Sequence, residues 1–218
     1  MKLLSSESHN IAWFNLANFI ARREKERALS MYKLLMHSVS DKAFAYQLEG
    51  DILLAFDDMT ALDKYYAAAD LYKQRASYTK AIAVYEHVAV VYNDIKILES
   101  LLDVYDILQD EIGIIHSFSR LANIAVKTNN FSVVLNRLQI YLINGSPLLQ
   151  AELYGYIFFA LLLYDRQNLH IETYLSQALD AYMKVADEHV LERFLSKIKV
   201  SDQFFYDKAK KLLSSLKD

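Results

Sequence analysis

DKAFAYQLEGDILLAFDDMTALDKYYAAADLYKQRA, residues 41–76, decides the fold class. Apolar residues recur at helical spacing in both halves, and the polar stretch DDMT separates them. Asp41 and Thr60 are of the residue types that cap helix N-termini. Gly50 stands on the first half, with Ala61 and Tyr65 on the second, so that a large ring can fill the space a glycine leaves. The segment therefore predicts two helices packed as a hairpin.

Small residues recur along the chain at the position that Gly50 holds. They are Ala17, Gly50, Ala89, Ala122 and Gly155, at intervals of 33, 39, 33 and 33 residues. A period near 33 residues without a strand signal is typical of an α-solenoid, in which each hairpin buries its apolar face only against its neighbours. The interval of 39 predicts an irregularity in residues 57–92.

Polar breaks divide the chain into about twelve helices. We predict a single repeat domain, 1–218, with hairpins near 10–39, 41–76, 78–109, 111–143 and 147–187 and capping helices over 189–217. One proline and four glycines in 218 residues favour helix almost throughout. The last segment, FFYDKAKKLLSSLKD, is amphipathic and basic, so a membrane-surface role is an alternative to capping.

Composition excludes several classes of function. With a net charge of −3 and both signs interspersed, the chain has no electrostatic footprint for nucleic acid. The absence of cysteine excludes disulfides and thiol catalysis and is compatible with a cytoplasmic protein. The apolar run 153–164 is shorter than the roughly 20 residues of a spanning helix, so we expect a buried core helix there.

Three stretches resemble the tetratricopeptide repeat family, whose pattern is W-x2-L-G-x2-Y followed by A-x3-F. The closest stretch is Trp13-x2-Leu16-Ala17-x2-Ile20 with Ala28-x3-Tyr32. A second runs from Phe118 to Leu138. A third, 65–85, is out of phase with the other hairpins and pairs the fourth and fifth helices. The resemblance implies an all-α, right-handed superhelix of about five to six antiparallel hairpins with a C-terminal capping helix.

In that family, first helices line a concave face that binds a protein segment. The resemblance therefore implies a groove formed by residues from the first helix of each hairpin. These candidate residues are Phe14, Asn18, Arg22, Gln47, Asp51, Glu86, Asn93, Asn123, Lys127, Glu152 and Tyr156.

We expect a non-enzymatic interaction module or adaptor whose partner is a protein or peptide. The six histidines are scattered, and neither a zinc-helix motif nor a phosphate-binding loop occurs, so we expect no cofactor and no metal. A chaperone or adaptor of a secretion or vesicle-fusion machine is an alternative. RNA binding by a helical repeat is a further alternative that the acidic balance opposes.

Overall fold

A computed structural model describes residues 6–92 and 94–217. This part of the chain forms twelve helices and no strand, so the prediction of an all-α fold with about twelve helices is confirmed. The helices are α1 (Ser6–Ala21), α2 (Lys25–Met36), α3 (Lys42–Ala55), α4 (Ala61–Gln74), α5 (Tyr78–Val91), α6 (Ile95–Leu108), α7 (Glu111–Lys127), α8 (Phe131–Asn144), α9 (Pro147–Tyr164), α10 (Ile171–Met183), α11 (Glu188–Ser201) and α12 (Gln203–Lys217).

The helices fall into two compact units, α1–α5 and α6–α12, with the division after Tyr92. The predicted hairpin at 78–109 has one helix in each unit. That hairpin and the single repeat domain therefore stay predictions, and each unit is described by itself.

In the first unit, α1 packs on α2, α3 on α4, and α4 also on α5. This agrees with both hairpin registers of the sequence, because α4 serves as partner to the helix before it and to the helix after it. Gly50 lets the ring of Tyr65 approach α3 so closely that an added Cβ would lie 3.0 Å from three ring atoms. The predicted pairing of Gly50 with Tyr65 is confirmed.

The predicted role of Ala17 is wrong. Ala17 is exposed, whereas Leu16 and Ala12 are buried and share a core cluster with Ala28 and Tyr32 of α2. Each step along a helix turns the side chain by about 100°, so the residue next to a buried one faces away. The other residues of the small-residue series, Gly50, Ala89, Ala122 and Gly155, are buried as predicted.

In the second unit, α7 packs on α6 and α9, α9 on α10, and α12 on both α10 and α11. Gly155 of α9 faces the Tyr182 hydroxyl and the ring of Phe194; an added Cβ would lie 3.2 and 3.1 Å from them. Phe158 contacts Phe194 and Phe205 edge to face, which joins α9 to α11 and α12. The C-terminal helices thus cover the aromatic end of α9.

The prediction that Asp41 caps a helix is confirmed, whereas Thr60 stands at the N-cap of α4 without a side-chain capping hydrogen bond. Asp41 caps α3 by accepting hydrogen bonds from the backbone N–H groups of Ala43 and Phe44. Ser146 caps α9 by accepting from the Leu149 N–H, and Pro147 occupies the first turn. Serine or aspartate at the cap, with proline just inside, satisfies backbone donors that the helix itself leaves open.

Five helix ends share a left-handed turn. In each, the residue with positive φ donates to a carbonyl three residues back, and the next residue donates to one five residues back, which is the Schellman pattern. The positive-φ residues are Arg23, Asp57, Ala76, Gln109 and Asn129. None is glycine, although glycine adopts this conformation at the lowest cost.

Within the described residues, α9 is the helix that is long and apolar enough to span a membrane on length and composition alone. The same test is passed by core helices, and eight of the 18 residues of α9 are buried in the second unit. The predicted absence of a membrane span stays a prediction.

Candidate functional site

The second unit carries a groove of about 440 Å³ lined by α7, α9 and α11. Its lining residues are Asn123, Tyr156, Phe159, Leu162, Leu163, Lys197 and Ser201. We call this surface the α7–α9–α11 groove. Two of its residues, Asn123 and Tyr156, are among those implied by the resemblance, and the structure brings them together.

Aromatic packing fixes the floor of the groove. The Phe159 ring contacts the rings of Phe158 and Phe194 edge to face, at centroid distances of 5.3 and 5.6 Å. Tyr156 is half-buried, and burial, followed by the nearby charge of Glu152, raises the pKa of its phenol. Tyr156 therefore stays neutral at physiological pH and offers an O–H group beside an apolar surface.

Glu152 lies one turn before Tyr156 on α9, but it lies near Tyr182 of α10 and is not among the residues that line the groove. Burial, followed by the charge of the Glu152 carboxylate, raises the pKa of Tyr182, which places this carboxylate near the Tyr182 phenol of α10. This contact supports the packing of α10 on α9. Glu152 thus borders Tyr156 without lining the groove.

Around this aromatic floor, the groove is lined by one charged side chain, that of Lys197, and by polar and apolar ones. Lys197 of α11 is exposed, and Leu163 of α9 is 68% exposed. Asn123 is partly buried and presents an amide, which both donates and accepts hydrogen bonds. Lys127 lies one turn after Asn123, at the exposed end of α7. The groove can therefore hold an apolar side chain and hydrogen-bond a backbone, but it carries no pair of groups arranged for acid–base chemistry.

In the first unit, Gln47 and Asp51 of α3 face tyrosines of α4. The Tyr65 hydroxyl donates to Asp51 Oδ1 at 2.7 Å and lies 3.3 Å from His87 Nε2. The Tyr72 hydroxyl donates to Gln47 Oε1 at 3.5 Å. Burial, followed by the hydrogen bond to Asp51, raises the pKa of Tyr65. These two candidate residues thus tie α3 to α4, and Asp51 also brings α5 to the same face through His87.

The remaining described candidates belong to the first unit. Phe14 is 68% exposed on α1, Arg22 is exposed just after α1, and Asn18 is partly buried. Glu86 is partly buried on α5. These four stay predictions, and Asn93 lies outside the described residues.

The sequence missed the contribution of α11. Lys197 and Ser201 line the groove, although we expected α11 only to cap the stack. The signal was present, because Arg193, Lys197 and Ser201 are spaced by four residues and so follow one helix face. That spacing alone does not tell a groove wall from a solvated face.

Over the part of the chain that the structure describes, no group of three histidine or acidic side chains is arranged to hold a metal ion. Comparison of the chain with protein-family models, with curated proteins and with solved structures finds no match. The proposals below therefore stand on the geometry of this chain.

Proposed function

We propose that this protein is a non-enzymatic interaction module that binds a segment of a protein partner in the α7–α9–α11 groove. The observation that carries the proposal is the convergence of Asn123 and Tyr156 on one groove. The repeat register selected these two residues, 33 positions apart, because they occupy equivalent places on two first helices. Their meeting on one lined surface is what a repeat protein with a binding face requires.

We further propose that the hairpins form a tetratricopeptide-like, right-handed solenoid of about five to six units in the cytoplasm. Seven side-chain ties between described positions 33–36 residues apart support the repeat: Arg23–Asp57, Lys25–Asp58, Asp41–Arg75, Asp103–Arg137, Glu111–Ser146, Arg166–Asp202 and Glu172–Lys208. Each tie links one helix or turn to its counterpart two helices later. Stacked repeats place such counterparts side by side.

The lining of the groove fits a segment with apolar side chains and a free backbone. Phe159, Leu162 and Leu163 offer apolar contact, which supplies most of the binding energy in such sites. The Asn123 amide can pair with a backbone carbonyl and a backbone N–H group, and this pairing orients the bound chain.

The test compares a groove variant with a matched control in quantitative affinity purification. The groove variant carries Asn123→Ala and Leu163→Ser. The control variant carries Asn136→Ala on α8 and Leu169→Ser in the turn after α9, which are the same changes at exposed positions outside the groove. Truncation of central contacts costs about 2 kcal/mol, or roughly thirtyfold in affinity. We expect bound proteins to be depleted by the groove variant and retained by the control, with equal melting temperatures. A partner set that both variants retain in full would overturn the proposal.

A further inference from the structure

A second cavity in the α6–α12 unit lies at the opposite end of α7 and α9 from the groove. It has a volume of about 680 Å³ and is bounded by the α6–α7 turn on one side and the α8–α9 turn on the other. Glu111 holds the two turns together, because its carboxylate accepts from the Ser146 N–H at 2.9 Å and from the Ser146 hydroxyl at 2.6 Å. We call this surface the turn pocket; it shares no lining residue with the α7–α9–α11 groove.

Large apolar side chains are exposed in and around the turn pocket. Ile140 lines it and is 49% exposed. Ile143 and Ile112, which neighbour lining residues along the chain, are 80% and 81% exposed. Ile140 and Ile143 are three residues apart on α8 and so share one helix face, and exposed large apolar side chains grouped beside a cavity favour a site of interaction.

The charged residues that line the turn pocket indicate the charge that a partner should carry. The two charged residues that line it, Asp106 and Glu111, are both acidic. Asp103 and Glu99 lie on α6 one and two turns before Asp106. Arg137 of α8 forms ion pairs with all three carboxylates. The local charge therefore remains negative although each lining carboxylate has an internal partner.

We infer that the turn pocket binds a protein segment that presents lysine or arginine beside apolar side chains. Apolar groups of the segment would cover Ile140 and Ile143, while its cations would lie near Asp106 and Glu111. This pairing of opposite charges would raise the association rate and fix the orientation of the segment. A second copy of this chain in a two-fold dimer would place the same acidic face against itself, which like-charge repulsion opposes. The inference concerns residues separate from the groove and does not depend on the proposed function.

The test uses two labelled helical peptides as probes: one of leucine and lysine, and one in which every lysine is replaced by glutamate. Fluorescence anisotropy at low salt should show at least tenfold tighter binding of the lysine peptide, and added salt should weaken it because exposed charges are screened. Ile140→Ser with Ile143→Ser should weaken binding of the lysine peptide about tenfold or more, whereas Leu169→Ser, at a 93% exposed leucine elsewhere in the unit, should not.

A second variant separates charge from shape. Glu111→Gln removes the charge, while its amide oxygen can still accept from the Ser146 N–H group and its NH2 group can donate to the Ser146 hydroxyl oxygen. It should weaken binding of the lysine peptide and reduce the effect of salt. Equal binding of both peptides, or unchanged binding by the isoleucine variant, would overturn the inference. So would self-association of the wild-type chain in sedimentation that the isoleucine variant abolishes, because the occupant would then be a second copy.

Discussion

Gly113 is the position at which one added methyl group should have the largest effect. It lies in the first turn of α7, under the ring of Tyr105 from α6. A Cβ at this position would lie 2.2, 2.3 and 2.6 Å from three atoms of that ring, whereas ordinary contacts lie at 3.4–4 Å. We expect Gly113→Ala to force the ring and α6 away from α7.

The magnitude follows from two opposing effects. Overpacking of a tight contact costs about 1–3 kcal/mol, while alanine gains at most about 1 kcal/mol over glycine as a helix former. Because the added Cβ would lie as close as 2.2 Å to the ring, the upper part of the overpacking range, about 2–3 kcal/mol, applies. We therefore expect a net loss of about 1–2 kcal/mol in the free energy of unfolding, or about 3–6 °C in melting temperature. At Gly50 and Gly155 the nearest atoms would lie at 3.0 and 3.1 Å, so the two alanine variants there should stay within about 1 kcal/mol of wild type.

Urea unfolding followed by circular dichroism measures all three variants. A double-mutant cycle with Tyr105→Ala tests the cause, because removal of the ring makes room for the methyl group. The two substitutions should couple by about 1 kcal/mol or more, so that Gly113→Ala costs little without the ring. A Gly113→Ala variant as stable as wild type, or equally destabilised with and without the ring, would refute the proposed packing of α6 on α7.

Three further predictions concern turns and charges. Ala76→Gly should stabilise the chain by about 0.5–1 kcal/mol in urea unfolding, since glycine adopts the positive φ of this turn without strain; a loss of stability would contradict the left-handed turn. The hydrogen bond from the Lys25 ammonium, followed by those from the Thr60 N–H and hydroxyl groups, lowers the pKa of Asp58 from 3.8 to about 2. This carboxylate therefore contributes stability above pH 3.8 that is lost as the pH falls toward 2. In the Asp58→Asn variant the melting temperature should therefore fall less between pH 3.8 and pH 2 than in the wild type. An equal fall in both proteins would count against these contacts of Asp58. Arg137→Met removes the cation that faces three carboxylates from a side chain only 14% exposed, and should cost about 2 kcal/mol at pH 7 by urea unfolding. Burial already raises the pKa of Asp106, so this cost should shrink as the pH falls and the carboxylates bind protons; a cost independent of pH would point to lost packing instead.

Local chemistry made much of the fold predictable. Asp41 caps α3 as its sequence context indicated, because a short acceptor side chain before an amphipathic run can accept from the open backbone N–H groups. Thr60 was indicated on the same grounds but makes no such hydrogen bond. Gly50 meets the ring of Tyr65, which the pattern of residues 41–76 indicated. Ala17 fails because a helix turns by about 100° per residue, and an alanine fits a solvent-facing position as well as a buried one.

The candidate site was less accessible from the sequence. Asn123 and Tyr156 could be selected because repeats impose an equivalent phase on their first helices. Lys197 and Ser201 of α11 could not be selected from the sequence. An exposed helix face that lines a groove has the same residue pattern as one that faces bulk water. The turn pocket was also missed: it forms where two turns 35 residues apart meet through Glu111 and Ser146, and no local pattern reveals such a meeting.

The ties between positions 33–36 residues apart also constrain how this chain can change in length. A short insertion or deletion between Glu172 and Lys208, or between Asp103 and Arg137, rotates or shifts one partner away from the other and leaves a charge unpaired. Length changes of this protein over evolution should therefore be confined to stretches that no tie spans.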